Sequence, residues 1–204
     1  MAARCPKIRR RPCDHVAVAP RITLVEADQA PLLMRHLFAG GDPGVIVRAL
    51  ATVPELAEVA LPFLGAALGP GSVAPEVKET VVLRTSVVLG CRYCVDARSV
   101  VALDLGLGAE RVGALREAAP GERPLVIDDD TAALVAWTDA VTTARGSLPD
   151  EVHALLADRY AEHQIVELLV TLGATMLLNR FCTALSLPSS PETLARLAAE
   201  GFRP

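Results

Sequence analysis

The chain has 204 residues, 51% of them hydrophobic, 22% charged and 3% aromatic, with a formal charge of −4. That length suits one domain with a full core, and the balance excludes a disordered chain and a single-strand nucleic-acid binder built on aromatic stacking. With so few rings the core must come from aliphatic helix packing, because sheets draw on aromatic and β-branched residues.

Residues 1–13 hold Arg4, Lys7, Arg9, Arg10 and Arg11 and no acid, ahead of an acidic body. Such an arm could grip nucleic acid or an anionic surface, or be a frayed terminus. No DNA-reading motif accompanies it, so residues 1–28 are expected to be an irregular basic arm without a nucleic-acid partner. No apolar stretch reaches the roughly 18 residues of a membrane span. The most apolar region, Val45 to Leu68, is broken by Arg48, Glu55 and Glu58, and Cys13, Asp14 and His15 interrupt any leader-like run. The expected compartment is the cytoplasm. There five cysteines do not make a disulfide framework, Cys5 and Cys13 should stay free thiols, and a close pair points to redox or metal chemistry.

Helical periodicity and helix punctuation dominate from residue 29 onward. Leu32, Leu33, His36 and Leu37 make a short stripe, and Pro54-Glu55 opens a helix carrying Leu56, Ala60, Leu61 and Leu64 on one face. Gly69 to Ser72 is a breaker, and Pro75-Glu76 starts a helix that runs to Leu89 and ends at Gly90. A helix from Cys91 to Leu105 follows, then a shorter one from Ala109 to Ala118. Asp128, Asp129 and Asp130 mark the start of the next, which carries Leu134, Val135, Trp137 and Val141. Pro149-Asp150-Glu151 leads into Val152, Leu155 and Leu156. Glu162 to Leu185 should be a buried helix with a break, and Ser190-Pro191-Glu192 caps the last one. No segment alternates with period two, so the fold is all-α with eight to ten helices.

One internal echo stands out. Glu79 is followed after eleven residues by Cys91-Arg92-Tyr93-Cys94, and Glu167 after eleven by Asn179-Arg180-Phe181-Cys182. A duplicated helical unit (75–108 echoed in 162–186) would explain this, as would chance similarity between two apolar helices.

Cys91 and Cys94 sit at a helix start just after a glycine, three residues apart and close enough to bridge. A helix N-terminus stabilises a thiolate. Redox chemistry, a metal site and inert buried thiols are the competing readings. Zinc wants four ligands, whereas Cys5, Cys13, Cys182 and four lone histidines are scattered, so neither a metal nor a cofactor is expected. His153 and His163 read as surface or satisfied histidines, Trp137 as core, and Cys182 as a small buried hydrophobe.

Glu79, eleven residues and Cys91-Arg92-Tyr93-Cys94 resemble the signature of the carboxymuconolactone decarboxylase superfamily in its AhpD-like alkylhydroperoxidase branch. The resemblance covers about Pro75 to Gly108 and implies an all-helical fold that assembles into homo-oligomers. It also implies thiol peroxidase chemistry on a small-molecule peroxide, with a dithiol electron donor. Cys94 would attack, Cys91 would resolve the sulfenic acid to a disulfide, and Glu79 would join a histidine in relaying protons. This chain departs from the pattern at one decisive place: the family histidine falls at position 98, which is Arg98.

If the helices fold back at Gly90, Glu79 and Arg98 become antiparallel neighbours. The guanidinium can lower the Cys94 pKa, but it cannot shuttle protons and would lock Glu79 as a paired carboxylate. Tyr93 could offer a hydroxyl to the site or simply pack. Three readings follow: a dithiol oxidoreductase, weak as a peroxidase, acting on a peroxide or another electrophile; an enzyme of changed chemistry, decarboxylase-like or biosynthetic, in which Glu79 and Arg98 hold a carboxylated substrate; or a non-catalytic helical oligomer.

Overall fold

The computed structural model describes residues 19–203, so the basic cluster and Cys5 and Cys13 lie outside the described residues. Two 3-10 turns, Ala27–Gln29 and Leu32–Met34, lead into α1 (Arg35–Phe38), α2 (Val45–Leu50) and α3 (Pro54–Leu68). There follow α4 (Pro75–Leu89), α5 (Arg92–Asp104), α6 (Ala109–Glu117), α7 (Asp129–Thr143), α8 (Asp150–Ala157), α9 (Glu162–Leu185) and α10 (Pro191–Ala199). The described residues contain no strand, as the missing period-two pattern required.

α4 is the axle of the fold. It packs against α5, α6, α7 and α9, and every residue from Lys78 to Ser86 is buried, so no side of its middle faces water. One core cluster joins Val81 of α4 to Leu134 and Trp137 of α7, Leu156 of α8, and Leu168 and Leu172 of α9. A second joins Leu83 to Ala102, Val112, Leu115 and Val135. Trp137 is thus core, as its surroundings in the sequence suggested.

A helix buried all round must satisfy its polar side chains internally. Arg84, 0% exposed, achieves this with all five of its N–H donors. Nε and Nη2 fork the Asp139 carboxylate of α7, each at 2.6 Å; Nη1 donates to Leu115 O and Ala118 O, and Nη2 also to Ala119 O. Asp139 in turn accepts the Gly121 N–H at 2.7 Å. One buried ion pair therefore fixes α4, α7 and the turn after α6.

At its other flank α4 runs parallel to α9. Lys78 pairs with Glu167 at 3.0 Å near the start of both helices, and Asn179 donates to Ser86 Oγ at 3.2 Å near the end. Glu167 also accepts the N–H and hydroxyl of Ser72, which hold its carboxyl down at about 2. This contact explains a glycine: a Cβ on Gly71 would lie 2.0 Å from Glu167 Oε1.

Two expectations change. The break expected in the long helix is absent: α9 is continuous for 24 residues, because nothing between Glu162 and Leu185 removes a backbone N–H and Gly173 needs no special conformation. Length and composition would let α9 cross a membrane, but here it is a bundle helix against α3, α4, α5, α7 and α8, with Thr171, Thr175 and Asn179 buried. The continuity also bears on the echo. Glu79 and Cys94 flank a helix–turn–helix, whereas Glu167 and Cys182 share one helix, so the two segments do not repeat the same architecture.

The body begins before residue 29. Arg21 N–H donates to Leu185 O and Val25 N–H to Arg48 O, and Ile22 and Leu24 pack beside the cysteines.

Arg84→Ala should lower unfolding stability by about 3–5 kcal/mol, the cost of orphaning a buried charge. Arg84→Lys should fall in between, since an ammonium cannot reproduce the fork. Urea denaturation checks this; a loss below 1 kcal/mol would mean the pair is dispensable.

Candidate active site

α4 ends where Gly90 adopts φ 65, a left-handed conformation that costs glycine little. The Cys91 N–H closes onto Ser86 O at 3.1 Å, and Cys91 becomes the N-cap of α5, its sulfur accepting the Cys94 N–H at 3.4 Å. The turn thus places Cys91 and Cys94 at a helix N-terminus, as the motif suggested.

The sequence did not show that α9 brings a third thiol there. Sγ of Cys91, Cys94 and Cys182 all lie within 4.8 Å of one another, and their residues are 1%, 5% and 1% exposed. Cys182 is buried, as expected of a small hydrophobe, but its neighbours include two sulfurs. The available signal was the echo: Cys94 follows Glu79, and Cys182 follows Glu167, by the same number of residues, and α4 and α9 run side by side. Around the sulfurs pack Ala49, Leu187, Ile22, Leu24, Tyr93 and Phe181.

In this apolar setting the thiols titrate as a cluster. Cys91 is favoured as the thiolate: thiol donors on Cys182 and Cys94 outweigh burial and hold it far below a free cysteine. Cys94 moves the other way, raised by Cys182, Cys91 and burial, and Cys182 is pushed up to about 12, mainly by Cys91. The expected lowering of Cys94 by Arg98 is therefore overturned. The physical reason is that the arginine's charge is directed at Glu79, while Cys94 faces sulfur and hydrocarbon. Tyr93 is pushed up to about 12 by burial and then the three cysteines, so it stays a neutral phenol.

Glu79, 3% exposed, lies across the Gly90 turn and accepts a fork from Arg98: Nε to Oε1 at 2.9 Å, and Nη2 to Oε2. The antiparallel neighbourhood inferred from spacing is thus realised. Burial nevertheless raises Glu79 to about 7, outweighing the arginine's pull. The three sulfurs amount to three of the four ligands of a structural zinc, and no histidine or carboxylate joins them among the described residues. His153 and His163 are exposed on α8 and α9.

Because the folded pKa of Glu79 lies above the unfolded one, its protonated form favours folding, a contribution present below about 4.5 and lost as pH rises through about 7. Against Glu79→Gln, wild-type stability should decline across that window by on the order of 3 kcal/mol. Denaturant midpoints of both proteins from pH 4 to 8 measure it; a constant difference would contradict the buried, proton-binding environment.

Residues 54–122 match the model of the carboxymuconolactone decarboxylase family. No curated protein matches the chain. Several solved structures share its fold. The debrominase Bmp8, solved as a cysteine-to-alanine variant with 2,3,4-tribromopyrrole, is 20% identical with a TM-score of 0.73, covering 87% of this chain and 96% of its own. An uncharacterised peroxidase-related protein with an AhpD core from Ralstonia eutropha JMP134 is 16% identical, with a TM-score of 0.72 over 85% of this chain and 94% of its own. A protein of unknown function from Agrobacterium tumefaciens, provisionally assigned to AhpD antioxidant defence, is 22% identical, with a TM-score of 0.64 over 70% and 95%. With its motif inside the matched segment and its helices in this arrangement, the chain carries a segment that matches the carboxymuconolactone decarboxylase family and has the AhpD-like fold.

Proposed function

We propose that this protein is a thiol-dependent oxidoreductase in which Cys91 and Cys94 cycle between dithiol and disulfide, acting on a peroxide or another electrophile. The observation that carries the reading is the clustered thiols at the N-terminus of α5, with a favoured thiolate among them. Cys94 attacks the electrophile. With a peroxide, the S–O bond forms as O–O breaks, an alcohol leaves, and Cys94 becomes a sulfenic acid. The Cys91 thiolate then attacks that sulfur, water leaves, and the disulfide closes. A dithiol donor restores the two thiols.

The same geometry supports weak peroxidase turnover. Cys182, Cys91 and burial hold the Cys94 thiol above its ordinary value, so activating it calls for a base. Glu79 is engaged by Arg98, and a guanidinium cannot carry a proton. A better electrophile than a simple hydroperoxide suits such a site. The fold shared with a debrominase that binds tribromopyrrole supports a halogenated aromatic as one such class, since two thiols supply the two electrons that replace C–Br by C–H. The reading in which Glu79 and Arg98 capture a substrate carboxylate requires opening their mutual fork first.

Self-association belongs to the same proposal. Leu56, Val59 and Phe63 on α3 and Val166, Leu169, Val170 and Leu177 on α9 are large apolar residues left exposed at helical spacing. A second copy covering these faces is the partner we propose. Light scattering should give a multiple of the 21.5 kDa chain mass, with Leu169→Glu shifting it toward one chain; a monomeric wild type would remove this part.

Wild type should consume an alkyl hydroperoxide slowly. Arg98→His should raise the rate by on the order of a hundredfold, the lower end of general acid–base assistance, and Cys94→Ser should abolish it. Robust wild-type turnover, or no gain in Arg98→His, would sink the role assigned to position 98.

A further inference from the structure

Cys182 has no part in the Cys91–Cys94 couple, yet its sulfur lies within 4.8 Å of both. Its place is set from α9. One turn earlier, Asn179 Nδ2 donates to Ser86 Oγ of α4 and to Thr175 O, and Leu187 N–H closes the helix end onto Cys182 O at 3.0 Å. The side-chain sulfur is thereby held against the turn between α4 and α5. Beside the hydrocarbon that packs this cluster, its sulfur faces two thiols at a helix N-terminus.

Resting on the dithiol reading above, we propose that Cys182 is a third redox-active thiol, which exchanges with a Cys91–Cys94 disulfide to give a Cys94–Cys182 disulfide and a free Cys91. In this step the Cys182 sulfur bonds to Cys94 as the Cys91–Cys94 bond breaks, and the electron pair of the broken bond leaves with Cys91. The proton lost by Cys182 passes to solvent or to the departing sulfur. One disulfide is consumed and one formed, so no further oxidant or reductant takes part.

The direction of attack follows from the leaving group. Thiol–disulfide exchange expels the more acidic thiol faster. Cys91 caps α5 and accepts the Cys94 N–H, which makes it the sulfur best able to carry the charge. The starting disulfide lies within one turn of chain; the product ties α5 to α9 and leaves Cys91 able to react again.

The sequence makes the test direct. Arg84, Arg92, Arg98, Arg180 and Arg196 place Cys91, Cys94 and Cys182 on three separate tryptic peptides. The full chain is oxidised with diamide, a two-electron thiol oxidant, its remaining thiols are alkylated, and it is digested without reduction for mass spectrometry. Wild type should yield both the Cys91–Cys94 and the Cys94–Cys182 linkage. Cys91→Ser should yield Cys94–Cys182 with two thiols lost, and Cys182→Ser only Cys91–Cys94. A wild type showing Cys91–Cys94 alone overturns the exchange, as does a Cys91→Ser protein whose Cys94 and Cys182 stay free or pair with Cys5 or Cys13. A second arm uses an alkyl hydroperoxide in place of diamide. Disulfides with diamide but none with the hydroperoxide or a halogenated aromatic would remove the proposed function and leave the exchange standing.

Discussion

The Arg84–Asp139 fork is the constraint on which the rest of this molecule depends. A guanidinium without access to water must place five N–H groups, and here two go to one carboxylate on α7 and three to carbonyls in the last turn of α6 and just after it. Such a pair adds little net stability over a hydrocarbon substitute. What it adds is geometry: five donors with fixed directions admit one rotation and one height for α4. Because Glu79 and the Gly90 turn lie on the same helix, that setting also fixes where the carboxylate and the first cysteine sit. A helix packed only through smooth aliphatic surfaces, in a chain with 3% aromatic residues, would have fewer features to hold it in register.

The site is an arrangement of charge and burial in a small volume. Arg98 stands where the resemblance called for histidine, and its charge is directed across the turn at Glu79 and not along its own helix at the cysteines. Two consequences follow from that geometry. Glu79 loses freedom as a proton carrier while burial keeps its affinity for protons high. The thiols settle their ionisation chiefly among themselves, and hydrogen bonds from Cys182 and Cys94 favour the charge on Cys91.

Much of the fold was legible in the chain, for local reasons. Proline at first turns, glycine at the ends and apolar residues at helical spacing are interactions within a few residues, so α3 to α10 fall close to where the sequence placed them. The long helix was misread as broken because apolar runs carry no internal marker of continuity. Arg84 and Asp139 passed unnoticed because nothing local distinguishes a buried arginine from a surface one; only the carbonyls 31 to 35 residues away explain it.

The candidate site divides along the same line. The sequence by itself determined the cysteine pair at a helix start and the arginine at position 98. The spacing about Gly90 that brings Glu79 and Arg98 together was determined there too, since all of it lies within one helix–turn–helix. Only the tertiary structure decided that Cys182 joins them and that sulfur neighbours and burial raise Cys94 rather than lower it. Those outcomes depend on how α9 lies along α4 and on how little water reaches the sulfurs, and both are set by packing between residues far apart in the chain.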